Sequence, residues 1–148
     1  MNAKLSPIND LNGIIPSLHT PFKNNKSIDY KSLEKLVLHT IDKNCAGMLL
    51  SAVAGETQNL TFNEKAEMME FVLDVSRNTI PIIFGCSSQK IEEIYSLVDL
   101  ARQKKIKWVL IQAPLNLDEG DLIVFYKKIN EIGPVSYTHL RAHETSQH

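Results

Sequence analysis

Short apolar runs alternate with longer amphipathic stretches along most of this chain. The apolar runs have the length of buried strands and cover residues 14–18, 48–53, 80–84 and 108–111. Each run precedes a stretch whose apolar side chains recur three or four positions apart, which predicts helices over about 29–43, 63–77, 88–104 and 118–132. The pattern therefore predicts four successive strand–helix units.

Strict alternation of strands and helices indicates a parallel sheet with right-handed crossovers. Two α/β architectures fit it, a doubly wound open sheet and part of a (β/α)8 TIM barrel. A complete barrel takes roughly 250 residues, whereas this chain has 148. A half-barrel would leave strand edges unpaired and apolar surface wet, so we expect such a chain to aggregate or to dimerise through its edges.

The stretch after the second strand carries the strongest candidate chemistry. Gly55 interrupts the apolar run, and Thr61 and Glu64 have the spacing of a capping box at a helix start. The polar segment 55–57 therefore connects a strand to a helix, at the end of the strand where α/β proteins bind ligands. An ordinary connecting loop with a solvated Glu56 is the competing interpretation.

Composition narrows the class of protein. The chain has a net charge of −1 and 43% hydrophobic residues, which is typical of one globular domain or a part of one. This balance gives no electrostatic footprint for nucleic acid, and no apolar run has the length of a membrane span or a signal peptide. Cys45 and Cys86 lack metal-ligand spacing, which favours buried free thiols in a reducing cytoplasm over a disulfide or a nucleophile.

Several short motifs, in order, resemble those of the dihydrodipicolinate synthase and N-acetylneuraminate lyase family. The chain from Asn12 to Pro134 carries them: PSLHTPF at 16–22, AVAGET at 52–57, LT-x-x-E at 60–64 and IPIIFG at 80–85. The resemblance implies that residues 13–134, after a lead-in of residues 1–12, form units 1–4 of a (β/α)8 barrel, the amino-terminal half.

The resemblance also implies an activity. Family members are class I aldolases or synthases, often tetrameric or dimeric, that need no cofactor or metal. A lysine on the sixth strand forms a Schiff base with a 2-oxo acid such as pyruvate. Two hydroxyl residues in the motif after the second strand bind the substrate carboxylate. Candidate substrate-binding residues here are those at that motif and just after it: Val53, Ala54, Gly55, Glu56 and Thr57.

The chain departs from the family pattern at this site. Val53 and Ala54 replace the two hydroxyl residues, although Thr57 supplies a hydroxyl slightly further on. After the fourth strand, Leu115 and Asn116 replace an aromatic pair. These changes suggest either a divergent enzyme with another substrate or a non-catalytic barrel with a binding or regulatory role. Two serines could also donate hydrogen bonds near the mouth, although Ser51 also fits a packed strand residue and Ser87 a helix cap.

The sixth-strand lysine has no counterpart in this sequence, so no catalytic residue is assigned and we expect the chain as given to be inactive. Three lysines precede or flank the fourth strand at its amino end, which in barrels serves stability: Lys104, Lys105 and Lys107. Residues 135–148 resemble a translated sequencing adaptor instead of the family. We therefore expect a non-native, disordered tail, whose histidines do not have a zinc-binding pattern.

Overall fold

The computed structural model describes residues 12–52, 55–132 and 136–139, the last range by its backbone. The helices are α1 (Tyr30–Asp42), α2 (Phe62–Ser76), α3 (Ile91–Gln103) and α4 (Glu119–Ile132). The strands are β1 (Met48–Leu50), β2 (Ile82–Gly85), β3 (Trp108–Ile111) and β4 (Ser136–His139), and a single 3-10 turn covers Thr57–Asn59. Strand and helix therefore alternate as the sequence predicts.

The strands pair in the order β1–β2–β3–β4, and every pairing is parallel. An extended leading segment, residues 14–18, lies along the other side of β1. There the amide of Leu49 donates to the carbonyl oxygen of Pro16 at 2.9 Å. The amide of Leu18 donates to the carbonyl oxygen of Leu49, also at 2.9 Å. A doubly wound sheet reverses its order partway. Here the leading segment and β1 to β4 lie side by side in chain order, with no reversal. This is the strand order of a barrel, which confirms the half-barrel.

One face of the sheet carries the helices. Alternate strand residues such as Phe84 and Val109, which are paired in register, are fully buried there. They pack with inward residues of the helices such as Met68 and Ile94, which are also fully buried. Successive strand side chains point to opposite faces, so residues between these positions lie on a second, inner face.

The starts of the first two helices are confirmed at the level of single hydrogen bonds. Asp29 caps α1, because its Oδ1 accepts from the amide of Ser32 at 3.1 Å. Hydrogen bonds from the Ser32 hydroxyl and amide lower the pKa of the Asp29 carboxyl. At α2, Thr61 Oγ1 accepts from the amide of Glu64 at 3.1 Å, and Glu64 Oε1 accepts from the amide of Thr61 at 2.9 Å.

The predicted cap of α3 is wrong. Its N-cap residue is Lys90, which makes no side-chain capping bond. Ser88 Oγ instead accepts from the amide of Lys90 at 3.1 Å, just before the helix. Ser87 Oγ accepts from the amide of Gln112 at 2.8 Å and so serves the next strand exit. A serine near a helix start predicts a hydrogen bond to a nearby backbone amide of that helix. Ser87 instead bonds to an amide 25 residues away, which the fold brings close to it.

Strand boundaries also differ from the predicted ones. The leading segment forms an isolated bridge at Ser17 instead of a full strand; Pro16 cannot donate to a ladder. β1 ends at Leu50 because Ser51 adopts a left-handed conformation, with φ of 58°. β2 begins two residues later than predicted, just after Pro81, whose carbonyl oxygen accepts from the amide of Met48 at 3.0 Å.

A further strand lies where a disordered tail was expected. β4 pairs with β3 in the register Trp108 to Ser136 through Ile111 to His139. The expectation of disorder is therefore wrong for residues 136–139, while residues 140–148 and 133–135 lie outside the described residues. A short extended segment can add to any open sheet edge. The foreign origin of residues 135–148 thus stays a prediction.

Across the described ranges, none of the helices has both the length and the apolar character needed to cross a bilayer.

Two residues determine how the exit of β1 folds over the end of β2. A Cβ atom on Gly85 would collide with the carbonyl oxygen of Ser51. The backbone of Ser51 cannot move aside as a flexible side chain can. Position 85 must therefore be glycine for the loop after β1 to lie against the end of β2.

We predict that Gly85→Ala lowers the free energy of unfolding by about 1–3 kcal/mol through overpacking. Gly120→Ala is the matched control, because a Cβ there meets only Asp118 Oδ1 at an ordinary 3.5 Å. The control should be neutral or stabilise by about 0.5 kcal/mol, since alanine favours helix. Urea unfolding measures both, and an equal effect of the two variants would contradict the proposed collision.

The cysteines are both free, as expected, but only one is fully buried. Cys86 has no exposed surface, and its Sγ donates to the carbonyl oxygen of Phe84 at 3.7 Å. Burial raises the pKa of the Cys86 thiol to about 12. Cys45 is partly exposed.

We therefore predict that Cys86 reacts with a disulfide reagent only as fast as the protein opens, because the thiolate is the nucleophile and burial disfavours it. A Cys45→Ala variant, which leaves Cys86 alone, should be protected until denaturant is added. The Cys86→Ala variant, which leaves Cys45 alone, should react without denaturant. Rapid native reaction of the Cys45→Ala variant would show that Cys86 is accessible.

Candidate functional site

The loops that follow the parallel segments meet at one edge of the sheet. These exit loops comprise residues 19–22 after the leading segment, the described residues 51–52 and 55–57 after β1, residues 86–90 after β2 and residues 112–118 after β3. Parallel strands bring their carboxyl ends to the same edge, where α/β proteins bind ligands.

Hydrogen bonds tie these exit loops to one another. Thr20 Oγ1 donates to the carbonyl oxygen of Gly55 at 2.6 Å, joining the first loop to the second. Lys65 Nζ, near the start of α2, donates to the carbonyl oxygen of Ser87 at 2.9 Å. Ser87 Oγ also accepts the Gln112 amide. The rim of the half-barrel is therefore a linked set of backbone and side-chain contacts.

A cleft of about 560 Å³ opens between the second, third and fourth exit loops. Its wall combines the starts of α2 and α3 with the loop after β3. The polar side chains in the wall are those of Thr57, Gln58, Thr61, Lys65, Ser87, Ser88, Gln89, Lys90, Glu93 and Gln112. A cleft of this size and polarity can hold a small polar molecule.

Lys65 supplies a buried positive charge to this wall. Only 3% of the residue is exposed. Desolvation lowers the pKa of its amine, while the negative charge of Glu93 acts in the opposite direction. Glu93 Oε1 in turn accepts from Ser88 Oγ at 2.8 Å. The cleft therefore holds charges of both signs, a suitable setting for a ligand with a carboxylate or a carbonyl group.

The structure separates the predicted site residues. Val53 and Ala54 lie outside the described residues. Gly55 is buried and its carbonyl oxygen is engaged by Thr20. Glu56 is exposed, and its Oε1 accepts from Asn59 Nδ2 at 3.1 Å. Thr57 lines the cleft, whereas Gly55 and Glu56 do not.

The two serines predicted to donate hydrogen bonds near the mouth of the barrel already contact other residues of the chain. Ser51 is 1% exposed, and its Oγ lies 3.2 Å from Thr57 Oγ1. Ser87 lines the cleft through a hydroxyl already used by Gln112. Leu115, one of the two residues in place of the family's aromatic pair, stands 73% exposed at the rim.

Sequence reasoning missed Lys65, and a usable signal was present. Lys65 precedes Met68, Met69 and Val72 by three, four and seven positions, so it lies on the inward stripe of α2. A charged residue at such a position indicates burial with a partner. Thr20 and Gln112 carried no comparable signal, because their partners are distant in sequence.

The three lysines beside β3 lie at the opposite edge. Lys104 Nζ forms a salt bridge with Glu70 Oε2 at 2.7 Å, and Lys105 and Lys107 line a separate cavity with the amino ends of β2 and β3. Their predicted place away from the exit loops is confirmed. Among the described residues, no group of three histidine, cysteine, aspartate or glutamate side chains could hold a metal ion.

The sequence matches the family model described as the Dihydrodipicolinate synthetase family over residues 10–135. It is 34% identical over 116 residues to 4-hydroxy-tetrahydrodipicolinate synthase of Ehrlichia canis (strain Jake), covering 78% of this chain and 36% of that protein. It is 28% identical over 127 residues to the enzyme of the same name from Lactobacillus acidophilus, covering 84% of this chain and 41% of that protein.

Solved structures share the fold of this chain. A dihydrodipicolinate synthase from Bacillus anthracis superposes with a TM-score of 0.77 at 26% identity, covering 86% of this chain and 44% of that one. An N-acetylneuraminate lyase from Mycoplasma synoviae superposes with a TM-score of 0.83 at 22% identity, covering 88% of this chain and 46% of that one, and it shares the fold. The chain thus spans less than half the length of these relatives. On the family match and the barrel order of its strands, this chain belongs to the dihydrodipicolinate synthetase family.

Proposed function

We propose that the complete protein, of which this chain is the amino-terminal half, is a Schiff-base-forming lyase or synthase that acts on a 2-oxo acid such as pyruvate. The observation that supports the proposal most is the polar cleft formed by the exit loops, in a chain whose relatives are named 4-hydroxy-tetrahydrodipicolinate synthase. The chain as given is proposed to be inactive, because the resemblance assigns the reactive lysine to a later strand.

The proposed chemistry begins with attack of that lysine amine on the ketone carbon of the 2-oxo acid. Loss of water then gives an iminium ion, which withdraws electrons from the neighbouring bond. A carbon–carbon bond at the next carbon can form or break with little build-up of charge. Hydrolysis of the iminium releases the product and restores the amine.

The present half would bind and orient the substrate. Val53 and Ala54 cannot donate side-chain hydrogen bonds to a carboxylate. The hydroxyls of Ser51 and Thr57, 3.2 Å apart, provide a nearby pair, and Thr57 lines the cleft. We propose that the loop of residues 53–57 contacts the substrate, with the Thr57 hydroxyl in place of the missing donors.

Borohydride reduction tests this proposal. The gene should be read past the codon for Pro134, and the complete protein incubated with pyruvate and borohydride. We expect one lysine to carry a reduced pyruvate adduct, because borohydride converts the iminium into a stable amine. Mass spectrometry of peptides locates that lysine.

The 148-residue chain is the control, and it should remain unmodified. A complete protein without an adduct on any lysine would refute the Schiff-base proposal. In the adduct-forming protein, Thr57→Val should raise KM for pyruvate by about tenfold, the effect of one lost hydrogen bond to a charged group, while Thr57→Ser should restore it.

A non-catalytic barrel with a binding or regulatory role is the second candidate. The replacements at Val53, Ala54, Leu115 and Asn116 favour it, because they remove the hydroxyl and aromatic groups of the family pattern. Calorimetric binding of a 2-oxo acid by the complete protein, without adduct or turnover, would support this candidate over the first.

We further propose a cytoplasmic location and a homo-oligomeric complete protein, a dimer or a tetramer. The two free thiols fit a reducing compartment. The oligomer is carried over from the family resemblance alone.

A further inference from the structure

Thr20 is a buried polar side chain at the exit edge of the sheet, and its hydroxyl bonds to the next exit loop. Only 4% of the residue is exposed. Its Oγ1 donates to the carbonyl oxygen of Gly55 at 2.6 Å, across 35 positions of sequence. A buried hydrogen bond of this kind is costly to break, because the separated groups lose their partners away from water. The contact therefore fixes where the second exit loop lies relative to the first.

The first exit loop gives Thr20 a rigid support. Two residues earlier, the amide of Leu18 donates to the carbonyl oxygen of Leu49 in β1 at 2.9 Å. Pro21 follows Thr20 directly, and its ring restricts its own backbone. The carbonyl oxygen of Pro21 accepts from the amide of Asp29, the N-cap residue of α1, at 2.8 Å. Thr20 is thus held from both sides in sequence, so its hydroxyl has a defined place.

The second exit loop needs such support, because part of its backbone is strained. Ser51 and Glu56 both adopt the left-handed conformation, with φ of 58° and 56°, which is unfavourable for residues other than glycine. Strained residues persist only where the surrounding structure holds them. Gly55 also packs closely against the first loop, since a Cβ on it would lie 3.1 Å from both Thr20 Oγ1 and the carbonyl oxygen of Leu18.

Gly55 and Thr57 are coupled within this loop. Their amides both donate to the carbonyl oxygen of Ala52, at 3.0 Å and 3.2 Å. Thr57 Oγ1 lies 3.2 Å from Ser51 Oγ, and Thr57 lines the cleft. A shift of Gly55 would therefore move the Thr57 hydroxyl, the group assigned above to the substrate carboxylate.

We propose that Thr20 is a positioning residue for substrate binding, which holds the second exit loop so that the Thr57 hydroxyl faces the cleft. Thr20 does not line the cleft, so its effect on the ligand passes through Gly55. The inference rests on the proposed function, because it takes the ligand to be a 2-oxo acid bound by this loop.

Borohydride trapping at graded pyruvate concentrations tests the proposal in the complete protein. Thr20→Val keeps the shape of the side chain and removes the hydroxyl. We expect the half-saturating pyruvate concentration to rise about tenfold with the maximal yield of adduct unchanged, because a misplaced loop weakens binding without altering the reactive lysine. Thr20→Ser keeps the donor and should restore the unaltered value.

Thr40→Val is the matched control. Thr40 is also 4% exposed, and its Oγ1 donates to the carbonyl oxygen of Leu36 at 2.9 Å within α1. This variant loses an equivalent bond away from the exit loops and should leave the pyruvate dependence unchanged. Circular dichroism verifies folding of each variant, and Thr20→Ala replaces Thr20→Val if the latter does not fold.

Hydrogen exchange followed by mass spectrometry tests the positioning without any reaction. Thr20→Val should speed exchange in the peptide that carries the amides of Gly55 and Thr57, while the β1 peptide keeps its rate. Thr20→Ser and Thr40→Val should both match the unaltered protein. If the unaltered protein forms no adduct, only the Schiff-base activity is refuted, and the exchange comparison still decides whether Thr20 holds the loop.

Three results would overturn the proposal. The first is unchanged exchange at Gly55 and Thr57 in the Thr20→Val variant. The second is an unchanged pyruvate dependence of adduct formation in that variant. The third is an equal loss of pyruvate affinity in Thr40→Val, which would show a general effect of destabilisation.

Discussion

The whole structure depends on one constraint on parallel strands, which is that successive strands can be joined only by a crossover. Each crossover here is an amphipathic helix, and all pack on the same face of the sheet with buried residues such as Met68 and Ile94. Because each crossover returns the chain to the amino edge, every strand leaves the sheet at the carboxyl edge. The convergence of the exit loops, and with it the cleft, follows from this connectivity.

The rim is held by contacts between neighbouring units. Thr20 joins the first exit loop to the second, and Lys65 and Gln112 converge on Ser87 in the third. Loops that are already held by such hydrogen bonds lose little conformational entropy when a ligand binds. Leu115, one of the departures from the family pattern, takes no part in these contacts and stands exposed at the rim.

Within the described ranges, the inner face of the sheet keeps apolar side chains such as Leu49 and Ile83 partly exposed. In a closed barrel that face is filled by side chains from all the strands, but four strands and a leading segment supply only part of a ring. The chain adds a strand, β4, beyond residue 135, where the family match ends. Backbone pairing at an open edge is not selective for sequence, since main-chain groups alone make the bonds.

The sequence by itself determined the alternation of elements, the two capped helix starts and the barrel family, because spacing, capping residues and short motifs are local signals. It also carried an overlooked signal for the burial of Lys65, the place of this residue on the inward stripe of α2. Only tertiary structure decided the distant partners of Thr20 and Ser87 and the addition of β4. Those outcomes depend on which backbone groups and side chains from remote parts of the chain come within hydrogen-bond distance, and periodicity carries no information about that.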